Sequence, residues 1–411
     1  MRVSLFLLLT LLVINLAIDW YIYRQVTHRC KRPILWGRAE VWSAILFSLV
    51  LIAGIIIPAR EGSNNVLLAK MWLIFIYGSV YIPKALAVIF DLVASAPRLF
   101  GHKRIKPLTT VGVVLAVVSF CAIWWGAAIN RFAIDNKEVE IEMTDLPESF
   151  DGYRIAQFSD LHIGTFGNDT SYVSRLVDNI NSLNADIIVF TGDIVNRRSE
   201  EVAPFIKTLS RLHARDGVIA ILGNHDYGDY MTWPSDQAKR DNMQVLYDAY
   251  DKAGIKLLLN ETELIRRGND SIALIGVENI GDPPFPVYGS LLKAYPTPDD
   301  SVTKVLLSHN PAHWVDSISE NDRLRIPLTL AGHTHAMQIE LFGMSPAALR
   351  YKTWGGLYSD THERHQLYVN IGAGTAEKHR DPRSASWSPM HRSQNPARSR
   401  YCDRSLRGHP S

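Results

Sequence analysis

The 411-residue chain has only three cysteines, Cys30, Cys121 and Cys402. One lies in a basic stretch, one in an apolar run and one in a polar tail. None is placed to find another, which argues against a disulfide framework. Net charge is also scarce. The 43 Lys+Arg nearly balance the 41 Asp+Glu, leaving +2, so charge gives no reason to expect a nucleic-acid partner. Aliphatic residues almost vanish after Gly374. Residues 376–411 instead carry Lys378, Arg380, Arg383, Arg392, Arg398, Arg400, Arg404 and Arg407. That composition predicts a basic, disordered tail.

Long apolar runs are abundant at the other end. They cover residues 3–23, 41–59, 67–93 and 109–129. A bilayer core needs about 20 such residues per helix, so residues 1–133 are expected to form a membrane domain of about four spans. The first run lacks a small-residue cleavage site and is followed by more spans, so it reads as an uncleaved helix rather than a signal peptide. Arg24, Arg29, Lys31, Arg32 and Arg38 follow the first run. Arg98, Lys103, Arg104 and Lys106 follow the third. Basic loops stay cytoplasmic. The expected location is therefore the cytoplasmic (inner) membrane, with both ends of this domain, and all that follows, on the extracytoplasmic side. Lys84 follows Pro83 inside the third run. It is expected either to reach the interface or to pair with Asp91.

Residues 134–375 read differently. Val139, Ile141 and Met143 alternate with Glu138, Glu140 and Glu142, as in a half-exposed strand. Val173, Leu176, Val177, Ile180 and Leu183 fall at helical spacing, and so do residues of a second expected helix over 201–213. A further helix is expected over 243–254, with strand-like runs at 255–259, 262–266, 271–277 and 366–371. The polar and aromatic stretch 227–242 and the loop 281–286 are candidate rims of a substrate site.

Five short β-type runs share one feature. Residues 154–158 lead into Asp160 and His162. Residues 186–190 lead into Gly192-Asp193. Residues 218–222 lead into Gly223-Asn224-His225-Asp226. Residues 304–307 lead into Ser308-His309, and residues 326–330 lead into Gly332-His333-Thr334-His335. Continuous apolar runs are the mark of parallel strands buried on both faces, and the carboxyl ends of such strands collect ligands. In an extended segment, residues two apart point the same way, so His333 and His335 could face one cation.

Taken in order, these residues resemble the metallophosphoesterase (calcineurin-like phosphoesterase) superfamily over roughly residues 150–378. The resemblance implies a four-layer α/β sandwich, two packed mixed sheets flanked by helices. It implies two divalent cations, with Asp193 bridging them. Asp160, His162 and His335 would hold the first, and Asn224, His309 and His333 the second. An O/N donor set without cysteine suits Mn, Fe or Zn. It implies hydrolysis of a phosphodiester or pyrophosphate by a bridging hydroxide. The substrate would be lipid-linked or a sugar nucleotide, met at the lipid bilayer. His225 would serve the leaving oxygen, with Asp226 orienting its imidazole. Ser159, Ser308 and Thr334 would support the ligands. His313, His362, His365 and His379 fall outside the pattern and are expected at the surface. Two departures stand out. Ala336-Met337 replaces the Gly-Gly of many relatives, and the apolar final strand usual after Gly374 is missing. Two other readings use the same residues: a catalytically silent metal-binding scaffold, and a membrane sensor or transporter. The intact ligand set speaks against the first, and the scarcity of polar residues in the spans against transport.

Overall fold

A computed structural model describes residues 5–58, 61–282, 286–297, 300–335, 346–373 and 386–392. The N-terminal part is four helices: α1 (Leu5–Arg29), α2 (Pro33–Ile56), α3 (Asn64–Ser95) and α4 (Lys106–Ala128). Pro33 and Pro107 sit in the first turns of α2 and α4, where a missing N–H breaks no helical bond. Among the described residues, three helical segments are long and apolar enough to cross a bilayer: Pro33–Ile56, Asn64–Phe100 and Lys106–Phe132. Lys84 does not meet Asp91. Its Nζ donates to Asp19 Oδ1 on α1 and Glu40 Oε1 on α2, both at 2.9 Å. Tyr81 donates to the other oxygen of Asp19 at 2.6 Å. Asp91 is about 10 Å further along α3 at 1.5 Å per residue. It takes Arg29, Arg104 and the Tyr21 hydroxyl instead.

The α/β part follows in chain order as β1 (Lys137–Glu138), β2 (Ile141–Met143), β3 (Tyr153–Phe158), α5 (Ser171–Ser182), β4 (Ile187–Phe190), α6 (Ile206–Leu209) and β5 (Val218–Ala220). Then come α7 (Asp236–Lys252), β6 (Lys256–Leu257), β7 (Glu261–Arg267), β8 (Asp270–Gly276), α8 (Leu291–Ala294), β9 (Thr303–Leu307), β10 (Leu328–Ala331), β11 (Gly356–Ser359), β12 (Gln366–Val369) and β13 (Ser386–Arg392). Two sheets form. In one, β3, β4, β5 and β6 run parallel, and β13 joins β3 antiparallel. In the other the order is β11-β12-β10-β9-β8-β7, with β8, β9, β10 and β12 parallel.

Strand alternation explains the layers. Ile187 and Val189 of β4 join Leu274, Val305 and Leu330 in a core between the sheets. Ile188 and Phe190 of the same strand face Val173, Leu176, Phe205 and Leu246 on the helical side. Leu306, Ile275 and Val369 close a third core with Trp314 on the far side of the second sheet. Strands between two apolar cores must be apolar at every position, and that is why they read as continuous runs. Together they give the expected four layers.

Three expectations need correction. The segment 201–213 is a 3-10 stretch, Ser199–Phe205, followed by the single turn α6. Pro204 lacks the N–H that a longer helix would use. α7 starts at Asp236, well before 243, because Ser235 caps it by accepting from Ala238 N at 3.2 Å. The tail is not without structure. Ser386–Arg392 forms β13, with Trp387 opposite Ala156 and Met390 opposite Tyr153. Its other edge takes β1 and β2 in parallel. This strand bridges residues on both sides, so pairing outweighs its polar composition. The remainder of the 376–411 tail lies outside the described residues, as does Ala336-Met337.

Candidate metal centre

β3, β4 and β5 of one sheet and β9 and β10 of the other run toward a common edge, and each expected ligand stands just beyond its strand. The backbone then leaves the extended region. Asp160 (φ 53), His162 (φ 43), Asp193 (φ 63), His333 (φ 79) and His335 (φ 50) are all left-handed. Such a conformation costs roughly 1–3 kcal/mol per non-glycine residue and clusters at functional sites. It also corrects the extended reading of His333 and His335. They turn to different partners instead of one.

Two groups of donors result. Asp160, His162, Asp193 and His335 converge, and so do Asp193, His309 and His333, with ligand atoms within 4.8 Å of one another in each. Asp193 belongs to both. His162 Nε2 lies 3.0 Å from His335 Nε2, and His335 Nε2 lies 3.2 Å from Asp160 Oδ1. His309 Nε2 is 3.3 Å from Asp193 Oδ2. Asn224 completes the second group, its Oδ1 lying 3.1 Å from His309 Nε2 and 2.8 Å from His333 Nδ1. All seven expected ligands are thus brought together. Glycine permits the approach. A Cβ on Gly223 would lie 2.2 Å from Asp193 Oδ1, and one on Gly332 would lie 2.5 Å from Asp160 Oδ2.

The loop after β4 orients the imidazoles. The Thr191 carbonyl meets His309 Nδ1 at 2.8 Å, Val195 O meets His162 Nδ1 at 3.1 Å, and Asn196 O meets His225 Nδ1 at 2.7 Å. A carbonyl can only accept, so each Nδ1 carries a proton, and each Nε2 is the nitrogen turned away from the loop. Burial and the neighbouring His225 and His335 push His162 down to about 3. Burial and His309 do the same to His333, also to about 3. Both are neutral donors. Burial works against ionisation of Asp193, yet His309, His225 and His162 hold it well below the usual carboxylate range. Buried carboxylates beside neutral imidazoles and an amide oxygen are a donor set that fits divalent cations of the Mn, Fe or Zn kind.

Asp226 does not orient His225. It is fully buried. Its Oδ2 accepts from Asp193 N at 2.9 Å and Gly223 N at 2.8 Å, and its Oδ1 from Ile194 N at 2.9 Å and Val195 N at 3.2 Å. Burial and Asp193 raise its pKa to about 7. The four backbone N–H donors act in the opposite sense and favour the anion. The Asn196 carbonyl performs the task expected of Asp226. His225 also stacks on Tyr230, with ring centroids 4.3 Å apart.

Other expected supports divide. Ser159 Oγ donates to Asp160 Oδ2. Thr334 Oγ1 donates to the Trp354 carbonyl. Ser308 Oγ lies 2.9 Å from His313 Nδ1. His313 is buried rather than at the surface, and His365 is buried too, with its Nδ1 at 2.9 Å from Ile326 O. His379 lies outside the described residues. Beside the second group is a cavity of about 180 Å³ lined by Asn224, Tyr230, Asn279, Gly281, Asp282, Asn310, His333, Arg350 and Tyr351. The stretch 227–242 supplies Tyr230 to it and the loop 281–286 supplies Gly281 and Asp282. Arg350 and Tyr351 carry no signal in sequence. Tyr351 reaches His333 Nε2 at 3.1 Å.

The calcineurin-like phosphoesterase family matches residues 153–337. That span holds all seven ligands. Residues 153–337 are a calcineurin-like phosphoesterase domain. Residues 1–131 match the transmembrane domain of probable calcineurin-like phosphoesterases, so the phosphoesterase domain follows a membrane domain. A transmembrane protein with metallophosphoesterase domain from Danio rerio is 29% identical over 58% of this chain and 52% of its own length. The chain therefore spans about half the length of that relative. An uncharacterised metallophosphoesterase of Campylobacter jejuni is 24% identical over 90% of this chain and 92% of its own. A UDP-2,3-diacylglucosamine pyrophosphatase of Chlamydia muridarum is 28% identical over 56% of this chain and 81% of its own.

Proposed function

We propose that the protein is a membrane-anchored, dinuclear metal-dependent phosphoesterase that cleaves a phosphodiester or pyrophosphate bond in a substrate met at the bilayer surface. The observation that carries this reading is the Asp193 carboxylate shared between two converging groups of donors. Asp160, His162 and His335 would hold one cation, and Asn224, His309 and His333 the other. Two such cations, when bound, polarise the phosphate and supply a nucleophilic oxygen from water near neutral pH. The chain's own residues do the rest. His225, fixed through Nδ1 by the Asn196 carbonyl, turns Nε2 toward the site and gives its proton to the leaving oxygen as the P–O bond breaks. Tyr230 limits its rotation by stacking.

The bilayer part of the reading rests on two supports. One relative is named for a diacylated sugar-nucleotide pyrophosphate. The α2–α3 connection also touches the loop after His162. The basic segments 24–38 and 98–106 lie at the opposite ends of these helices from that contact. By the positive-inside rule, the catalytic domain is extracytoplasmic on a protein of the cytoplasmic membrane, with α1 as a fourth span.

The test uses the full chain in detergent, stripped of metal and reloaded with Mn. Metal content and hydrolysis of an activated phosphodiester are measured together. Two metals per chain are expected, lost in Asp193→Ala. His225→Ala is expected to keep both metals and lose about 10²–10⁴-fold in turnover. Metal binding without turnover in the parent would support a silent scaffold and overturn the reading.

A further inference from the structure

The connection between α2 and α3 does more than join two spans. Asn64 Nδ2 donates to the Gly164 carbonyl at 2.6 Å, close behind His162. Arg197 Nη2 donates to the Ser63 carbonyl at 3.2 Å. Arg197 directly follows Asn196, whose carbonyl holds His225. On the other flank Phe132, just past α4, packs on Tyr172 with centroids 5.9 Å apart, and Tyr172 stacks on Phe166 at 5.1 Å. The loop that begins at His162 is thus gripped by membrane-domain residues on both sides.

Glu201 joins the two loops. Its Oε2 accepts from Asn196 N at 2.6 Å, and a Cβ on Gly164 would lie only 2.2 Å from that oxygen. Contacts therefore run without a gap from Asn64 through Gly164, Glu201 and Asn196 to His225. A plain docking surface could meet the catalytic domain anywhere. This one meets the two segments that place His162 and His225. It also takes up an arginine only 4% exposed, whose Nη2 is used on the Ser63 carbonyl of the membrane domain.

We propose that Asn64 and Arg197 are positioning residues, through which α3 sets the loops bearing His162 and the carbonyl that aims His225. The membrane helices then form part of the catalytic apparatus as well as its anchor. The proposal rests on the phosphoesterase reading in one respect, since it takes His225 to serve the leaving oxygen.

Asn64→Ala alters only the membrane domain, and Arg197→Lys keeps the charge while losing the planar fork. Both are made in the full chain in lipid nanodiscs. Amide hydrogen exchange is read first. Exchange at residues 163–167 and 194–198 is expected to rise about tenfold or more, with β9 and β10 unchanged. Turnover with Mn is then compared on two phosphodiesters, one releasing p-nitrophenolate and one an alkoxide. A good leaving group needs no proton, so its rate is expected to change by less than about threefold, while the alkyl ester loses about ten- to a hundredfold. Unchanged exchange in both loops would overturn the brace. Faster exchange with equal losses on both esters and unchanged metal content would reduce it to a docking contact and overturn the positioning role, whereas equal losses with lowered metal content would place the effect at His162 and support it. If the parent hydrolyses neither ester, the phosphoesterase reading has failed, and the exchange data still decide whether the brace exists.

Discussion

Asp226→Asn separates two roles for one carboxylate. The carboxylate presents two oxygens, each facing two backbone N–H groups between 2.8 and 3.2 Å away. An asparagine amide replaces one oxygen with an NH2. Whichever way it is turned, a donor then faces two donors in a buried place. Two hydrogen bonds to a charged acceptor are lost, at about 1.5–3 kcal/mol each, so about 3–6 kcal/mol in all. That is a large share of the roughly 5–15 kcal/mol that holds a domain folded. At about 2–4 °C per kcal/mol for a domain of this size, melting should fall by about 6–24 °C. Three of the four donors belong to residues 193–195, so the bridging Asp193 shifts as well and metal content should drop. The assay is a thermal melt of the full chain with and without Mn, alongside metal analysis. Parent-like melting and full metal content, with only turnover reduced, would refute this reasoning and return Asp226 to the imidazole of His225.

Two further predictions follow from buried charge. Asp193 lifts His309 to about 9 against the effect of its burial, so near neutral pH a proton occupies the nitrogen that a cation needs. Calorimetry at pH 7 in buffers of different ionisation heat should report release of about one proton from His309 on Mn binding. Apparent affinity should weaken as pH falls below about 9 and level off above it, whereas binding without proton release would refute the assignment. In the membrane part, Lys84→Met leaves Asp19 and Glu40 buried without their cation. A loss of about 3–5 kcal/mol is expected, visible as a lower melting temperature in detergent and partly recovered by adding Asp19→Asn and Glu40→Gln. Parent-like melting of Lys84→Met alone would show that the cluster holds nothing together.

The strands that frame the site were legible because burial on both faces writes itself as an unbroken apolar run, as in Ile187–Phe190. The ligand order was legible because each donor sits at the end of such a run. The partners of those donors were not. A backbone carbonyl has the same chemistry at every residue, so nothing in Thr191, Val195 or Asn196 announces that it holds an imidazole. Asp226 follows His225 in sequence, which suggests a pair. The turn instead points its carboxylate back at the amides of 193–195. His313 and His365 look like any exposed histidine until Ser308 and the Ile326 carbonyl are found beside them. β13 carries Pro389 and polar residues, and its strand form comes from β3 on one side and β1 and β2 on the other. From sequence Lys84 is expected at the interface or beside Asp91 on its own helix, and the packing of α1 and α2 against α3 gives it Asp19 and Glu40, which lie far from it in sequence.

The hidden partners of the site residues share a centre, the loop Thr191–Asn196. It carries Asp193, which both donor groups use. Three of its carbonyls aim His309, His162 and His225. Three of its amides rest on Asp226. Its next residue, Arg197, reaches the start of a membrane helix. A loop with so many obligations has little freedom to relax, because moving it by a fraction of a hydrogen-bond length breaks several bonds at once. That gives a physical reason for the left-handed backbone at Asp193 and for the glycine on either side of the approach, Gly192 and Gly223. It also means that the two donor groups and the proton donor are not independent parts. They are set together by a single loop, and the loop is tied to the membrane domain.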